Sequence, residues 1–263
     1  MTSLRIALYC VLGGLCLAIP AMGAGHFALW WVSGALISAS FVPLARFGPR
    51  NPLAQFGAIF LALFVVGSVC TISEAILFFP EKSHIFLRNL AGSLAIYAIA
   101  AAALALLAKL WKRTDASAPA VERRSWGMVL AMVLVSGIAY VVYYLVFGGI
   151  TYQFFTRQYY PHAMEITSRL GLWFWAIELA RGVVMTLAVL PIIYTLRMRR
   201  WSAALAVGVL VWIVGGGAGL LLPNEFMVTV QRYIHIVEIM TQNVSLGITA
   251  VLLLRPRAVL VRA

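Results

Sequence analysis

From Trp126 to Gly148 the chain reads Trp-Gly-Met-Val-Leu-Ala-Met-Val-Leu-Val-Ser-Gly-Ile-Ala-Tyr-Val-Val-Tyr-Tyr-Leu-Val-Phe-Gly, with no charged residue and no proline. A helix rises about 1.5 Å per residue, so roughly 20 apolar residues cross the hydrocarbon of a bilayer. The stretch therefore predicts a spanning helix. The same ruler finds seven more, at about 4–24, 27–45, 53–80, 85–110, 169–196, 202–222 and 226–254. The expected fold is all-α, a polytopic bundle of eight transmembrane helices in one membrane domain over residues 1–263. The third, sixth and eighth segments exceed the bilayer thickness, so they are expected to tilt or project.

Composition agrees. The chain is 63% hydrophobic and 11% charged, with a mean hydropathy of +0.97. Soluble domains have about 45–50% apolar and about 25% charged residues. A soluble globular domain, a disordered tail and a disulfide-stapled secreted module are thereby excluded. Cys10, Cys16 and Cys70 fall in apolar runs without CxxC spacing and read as small packing residues.

Met1–Arg5 is basic, Ile6–Ile19 apolar and Ala21-Met22-Gly23-Ala24 small, the outline of a signal peptide. The apolar run continues past Pro20, however, and a first spanning helix is the preferred reading. The main break is Lys-Leu-Trp-Lys-Arg-Thr-Asp-Ala-Ser-Ala-Pro-Ala-Val-Glu-Arg-Arg-Ser at 109–125. It divides the helices four plus four and reads as a solvated cytoplasmic loop.

Lys and Arg outnumber Asp and Glu by 20 to 8, a net charge of +12. No RNP, zinc-finger or P-loop pattern points to nucleic acid, and membrane topology accounts for the excess. With both termini cytoplasmic, Arg5, Arg46, Arg50, Lys109, Lys112, Arg113, Arg123, Arg124, Arg197, Arg199, Arg200, Arg255, Arg257 and Arg262 all fall inside. Only Lys82, Arg88, Arg157 and Arg169 fall outside. The expected location is the plasma (inner) membrane. Trp111, Trp126 and Trp201 fall at inner boundaries and Trp30, Trp173 and Trp175 near outer ones, as interfacial aromatics do. The aromatic stretch Thr151–Tyr160 reads as an outer loop on the membrane surface, with His26, His84 and His162 solvated on the same side. Gly67–Glu81 faintly resembles Gly215–Glu225, but Glu74 has no counterpart, so a duplication is not expected.

Ionisable groups inside a bilayer cost roughly 2.5–3.5 kcal/mol each on insertion scales, so they pair, face the interior or line a pathway. Glu74, Glu178, Arg181, Arg232, His235 and Glu238 all fall in the outer half or near the midplane of three segments. Gln231, His235, Glu238 and Gln242 share one helical face, with Arg232 and Asn243 beside it. Glu178 and Arg181 stand at i, i+3 and are placed to pair. Gly215-Gly216-Gly217-Ala218-Gly219 suits close packing or local unwinding, and Pro191 suits a kink.

Three classes of function fit. One is proton-coupled transport of a small or anionic solute, with His235 and Glu238 as proton carriers or base. Arg181 and Arg232 would then hold the anion, or a lipid head group, beside Gln242 and Asn243, while Glu74 and Glu178 fix them. The second is an intramembrane hydrolase or transferase acting on a lipid or peptide, with His235, Glu238 and Glu178 as catalytic candidates. The third is a structural or accessory subunit, since protonated His235 would make the six groups neutral overall. His235 and Glu238 are weak metal ligands without HExxH or a second histidine at that depth, and no motif names a cofactor. A Ser–His pair would require Ser73 or Ser245 to approach His235.

Overall fold

The computed structural model describes residues 2–23, 25–111, 124–160 and 163–255. Among them regular structure is entirely helical. Eight helices are long and apolar enough to cross a membrane: α1 (Ser3–Ala21), α2 (Phe27–Phe47), α3 (Pro52–Phe78), α4 (Pro80–Leu110), α5 (Trp126–Thr156), α6 (Leu172–Thr195), α7 (Arg200–Gly217) and α8 (Thr229–Leu254). Leu4, Leu53, Ile99, Leu130 and Val237 project from the bundle as an apolar exterior suited to lipid. Residues 112–123, with Lys112, Arg113 and Arg123, lie outside the described residues, as do His162, Arg257 and Arg262.

Three boundaries differ from expectation. Helix α5 does not stop at Gly148: π-helical turns at Tyr144–Gly148 and Tyr152–Thr156 carry it on, so Thr151–Thr156 is helix and not loop. Phe154 and Phe155 on it are exposed, but Thr156 is buried. Helix α7 ends early because Gly215 and Gly216 leave helical geometry, Gly216 at φ 140°. Residues expected to begin α6 instead end a separate short helix, Ala163–Leu170. Pro191 is accommodated within α6, which runs on to Thr195.

Going round the bundle, each helix packs on the next in the order α1, α4, α3, α6, α5, α8, α7, α2, and α2 returns to α1. The first helix is thus an integral part of the packing. Every neighbour relation in the first four helices recurs in the last four: α1 on α2 as α5 on α6, α3 on α4 as α7 on α8, α1 on α4 as α5 on α8. The two halves meet through α3 on α6 and, equivalently, α7 on α2, while α3 and α7 touch in the middle. There the contacts are reciprocal: Gly67 faces Val214, and Gly215 faces Val66. A two-fold pseudo-symmetry therefore relates the halves. This overturns the expectation of no repeat, which rested on the missing counterpart of Glu74. Packing positions repeat while charged positions do not.

Small residues permit the closest crossings, as in membrane bundles generally. A Cβ on Gly34 would stand 2.7 Å from the Gly14 carbonyl oxygen, one on Gly182 3.0 Å from Gly137 Cα, and one on Gly247 2.5 Å from Gly208 Cα. Since the helices alternate in direction, the described basic residues from Arg5 and Arg46 to Arg200 and Arg255 gather at the end where α1 begins and α8 ends. Lys82, Arg88, Arg157 and Arg169 belong to the other end. Trp126 and Trp201 are exposed at the basic end, but Trp111 turns inward and meets Tyr9 edge-on at 5.2 Å.

Gly247→Val overpacks the α7–α8 crossing and is expected to lower stability by about 1–3 kcal/mol. Gly92→Ala, inside α4 with nothing within 4 Å, is expected to keep or slightly raise it. Melting of both purified variants in detergent checks the pair.

Candidate functional site

Beside the α3–α7 contact three helices depart from α geometry. Helix α3 is π-helical over Ala62–Cys70, α5 over the two stretches above, and α7 breaks at Gly215–Gly216. Turns of this kind rotate the following side chains and often mark functional sites. They surround a cavity of about 540 Å³ at the end of the bundle away from the termini. Helices of both halves line it. Glu74, His235 and Glu238 are in its wall, and no Lys or Arg is among the described residues lining it.

The rest of the wall is largely apolar, with nine aromatic residues in it. Phe174 packs edge-on to Phe78 at 6.3 Å and to Tyr144 at 5.9 Å. Phe226, in the turn between α7 and α8, packs on Phe79 at 5.9 Å and Phe86 at 5.1 Å. The Asn224 side chain holds that turn by accepting from the backbone N–H groups of Phe226 and Met227 at 3.0 and 2.9 Å. Trp175, expected at the interface, faces the cavity. Tyr160, beyond the end of α5, also lines it. Burial pushes the Tyr160 phenol above its ordinary range; its hydrogen bond with Gln231 acts the other way, and the nearby Glu74 and Glu238 carboxylates add to the rise.

The six ionisable groups do not form one cluster. Arg181 of α6 donates through Nη1 to Glu178 Oε2 at 2.5 Å and through Nη2 to Glu74 Oε2 at 2.6 Å. Glu178 is fully buried, and its second oxygen has no hydrogen-bond partner among the described residues. The guanidinium also lies 5.8 Å from the Tyr140 ring centre, and the Tyr144 hydroxyl donates to Glu74 Oε1 at 3.4 Å. This triad joins α3 to α6 and presents Glu74 to the cavity.

The second group belongs to α8. His235 Nδ1 shares a hydrogen bond with Glu238 Oε2 at 2.8 Å, and Gln242 Nε2 donates to Glu238 Oε1 at 3.2 Å. Gly148 admits this pair: a Cβ there would stand 3.2 Å from Glu238 Oε1.

Arg232 goes elsewhere. Its Nη1 donates to the carbonyls of Leu220 and Leu221, both at 3.3 Å, and its Nη2 to Thr229 Oγ1 at 3.2 Å. Asn243 lies across Gly215 and donates to the Val211 carbonyl at 3.4 Å. Both supply the unwound end of α7. The ionisable side chains in the cavity wall are thus Glu74, held by Arg181, and the His235–Glu238 pair, while Arg232 is turned to the end of α7.

Among the described residues no three His, Cys, Asp or Glu side chains are placed to hold a metal ion. His235 and Glu238 alone fall short of the three or four protein ligands that zinc takes. Ser73 donates to the Cys70 carbonyl at 2.8 Å, and neither Ser73 nor Ser245 lines the cavity. Cys70 is buried, whereas Cys10 and Cys16 are half-buried. The aromatic wall was not foreseen: Tyr144, Phe174 and Phe226 lie in different segments, and nothing in the sequence shows that they meet. The glycine run at 215–219, read as suited to close packing or unwinding, and the paired glycines at 148–149 both line the cavity. The chain matches no protein-family model, no curated protein and no solved structure.

Arg181→Ala strands a buried carboxylate and is expected to cost about 3–5 kcal/mol of stability. Glu238→Gln keeps its hydrogen-bonding shape and is expected to cost less than about 1 kcal/mol. Thermal melting of both variants in detergent distinguishes the pinning triad from the cavity pair.

Proposed function

We propose that this protein is a proton-coupled transporter of a small solute, and that the cavity is its solute site. One observation carries the reading: a roomy cavity with Glu74, His235 and Glu238 in its wall lies where two pseudo-symmetric four-helix halves meet. Transporters built from parallel repeats bind substrate at that seam, and broken helices recur at such sites. Carboxylates and a histidine are suited to taking up and releasing protons.

Glu238 and His235 are assigned as the proton carriers, with Gln242 orienting Glu238. Arg181 and Glu178 position Glu74. Arg232 and Asn243 satisfy the end of α7, so neither Arg181 nor Arg232 is left to hold an anion or a lipid head group. The basic end of the bundle, with both termini, is assigned to the cytoplasm by the positive-inside rule, in a plasma (inner) membrane. The cavity then faces outward. A serine hydrolase or transferase would require a serine beside His235; Ser73 donates to a backbone carbonyl, and neither Ser73 nor Ser245 lines the cavity. An accessory role accounts for the triad and leaves the cavity without a use.

Proteoliposomes carrying a trapped pH dye under an imposed pH gradient test the proposal. They are given small amines, carboxylates and sugars in turn. At least one class is expected to discharge the gradient with the wild type, and to fail with Glu238→Gln and with protein-free vesicles. If every class behaves as in protein-free vesicles, the transport reading is wrong.

A further inference from the structure

We infer that the cavity takes a lipophilic organic cation, an amine or quaternary ammonium group borne on an apolar, ring-sized body. The inference rests on the cavity being a solute site, as proposed above, but not on the solute being carried across the membrane.

Charge is the first ground. Had Arg232 joined the cluster, the three carboxylates would have met two guanidinium groups, and a protonated His235 would have balanced them. Arg232 is instead held by the Leu220 and Leu221 carbonyls and Thr229. Arg181 is left as the single guanidinium, with one Nη on Glu178 and the other on Glu74. Glu74 and Glu238 are the carboxylates in the wall, set among aromatic and aliphatic groups where a charge without a partner is costly. A bound cation places countercharge beside them. An anion would meet these carboxylates and find no Lys or Arg among the described residues of the wall.

The wall itself is the second ground. The aromatic rings of Tyr144, Phe174, Trp175, Phe78, Phe79 and Phe226 line the cavity. Aromatic faces attract cations through the ring quadrupole, more strongly when water is excluded. A ring of this wall already does so: Lys82 Nζ lies 4.6 Å from the centre of Phe226. A simple hydrated metal ion would leave so apolar a wall unused, whereas an organic cation fills both requirements.

Size is the third. About 540 Å³ falls within the range of roughly 300–1,000 Å³ typical of sites for drug-sized ligands. A proton alone requires no such volume.

Tetraphenylphosphonium and tetraphenylborate have nearly the same shape and opposite charge, so they separate charge recognition from apolar burial. Equilibrium dialysis of each against the purified protein in neutral detergent, corrected with protein-free micelles, reads the difference. Tetraphenylphosphonium is expected to bind saturably and at least about tenfold more tightly than tetraphenylborate, about 1.4 kcal/mol. Glu238→Gln is expected to weaken the phosphonium about tenfold and leave the borate unchanged or improved. Equal binding of the two ions, preference for the borate, or binding of neither overturns the inference. If the phosphonium binds selectively while no solute discharges the proteoliposome gradient, the cation site stands and the transport reading falls. If a solute discharges the gradient while the two ions bind alike, the reverse holds.

Discussion

A guanidinium buried in a low-dielectric bundle must be paired, and Arg181 is paired twice. Removing its charge from water is costly, and only short contacts to opposite charge offset that cost. Glu178, one turn earlier on α6, meets one side of the fork, and Glu74 of α3 meets the other. The second contact fixes how α3 is turned relative to α6. It thereby places the free face of Glu74 at the cavity. The π-helical stretch Ala62–Cys70 immediately precedes Glu74 and alters the face that α3 presents there. Tyr140 and Tyr144 of α5 close over the same pair, so the arrangement joins three helices.

The scaffold repeats but the chemistry does not. Gly34 and Gly182 are separated in sequence by the same interval as Gly67 and Gly215, and that interval also relates Ser33 to Arg181. Ser33 of α2 donates to the Ala218 carbonyl just after α7 at 2.9 Å; Arg181 of α6 donates to Glu74 of α3. Equivalent helix contacts are thus made by a neutral hydroxyl in one half and by a charged pair in the other. Close crossings need small residues in both halves. An ionisable site needs only one of them, which is why the charges obscure the repeat when the sequence is scanned for it.

A bilayer interior tolerates broken helices only where the freed backbone groups find partners. Around the break in α7 those partners are side chains of α8 and α2. Arg232 takes the Leu220 and Leu221 carbonyls, Asn243 takes Val211, and Ser33 takes Ala218. The unwinding opens space on the cavity side, and it draws Arg232 away from the carboxylates.

Span number and approximate boundaries were legible because hydropathy is a property of each segment alone, as the charge-free run from Trp126 to Gly148 illustrates. The Glu178–Arg181 pair and the shared face of His235, Glu238 and Gln242 were legible too, since helical spacing makes them neighbours without any other helix. The extra turns of α5, the partition of six charges into a pinning triad and a cavity pair, and the diversion of Arg232 were not. Each depends on which helix lies opposite: Glu74 meets Arg181 only because α3 packs on α6, and Arg232 finds carbonyls only because Gly215 and Gly216 unwind beside it. Depth in the membrane can be read from position along a segment, but the direction a side chain faces is decided by packing between segments.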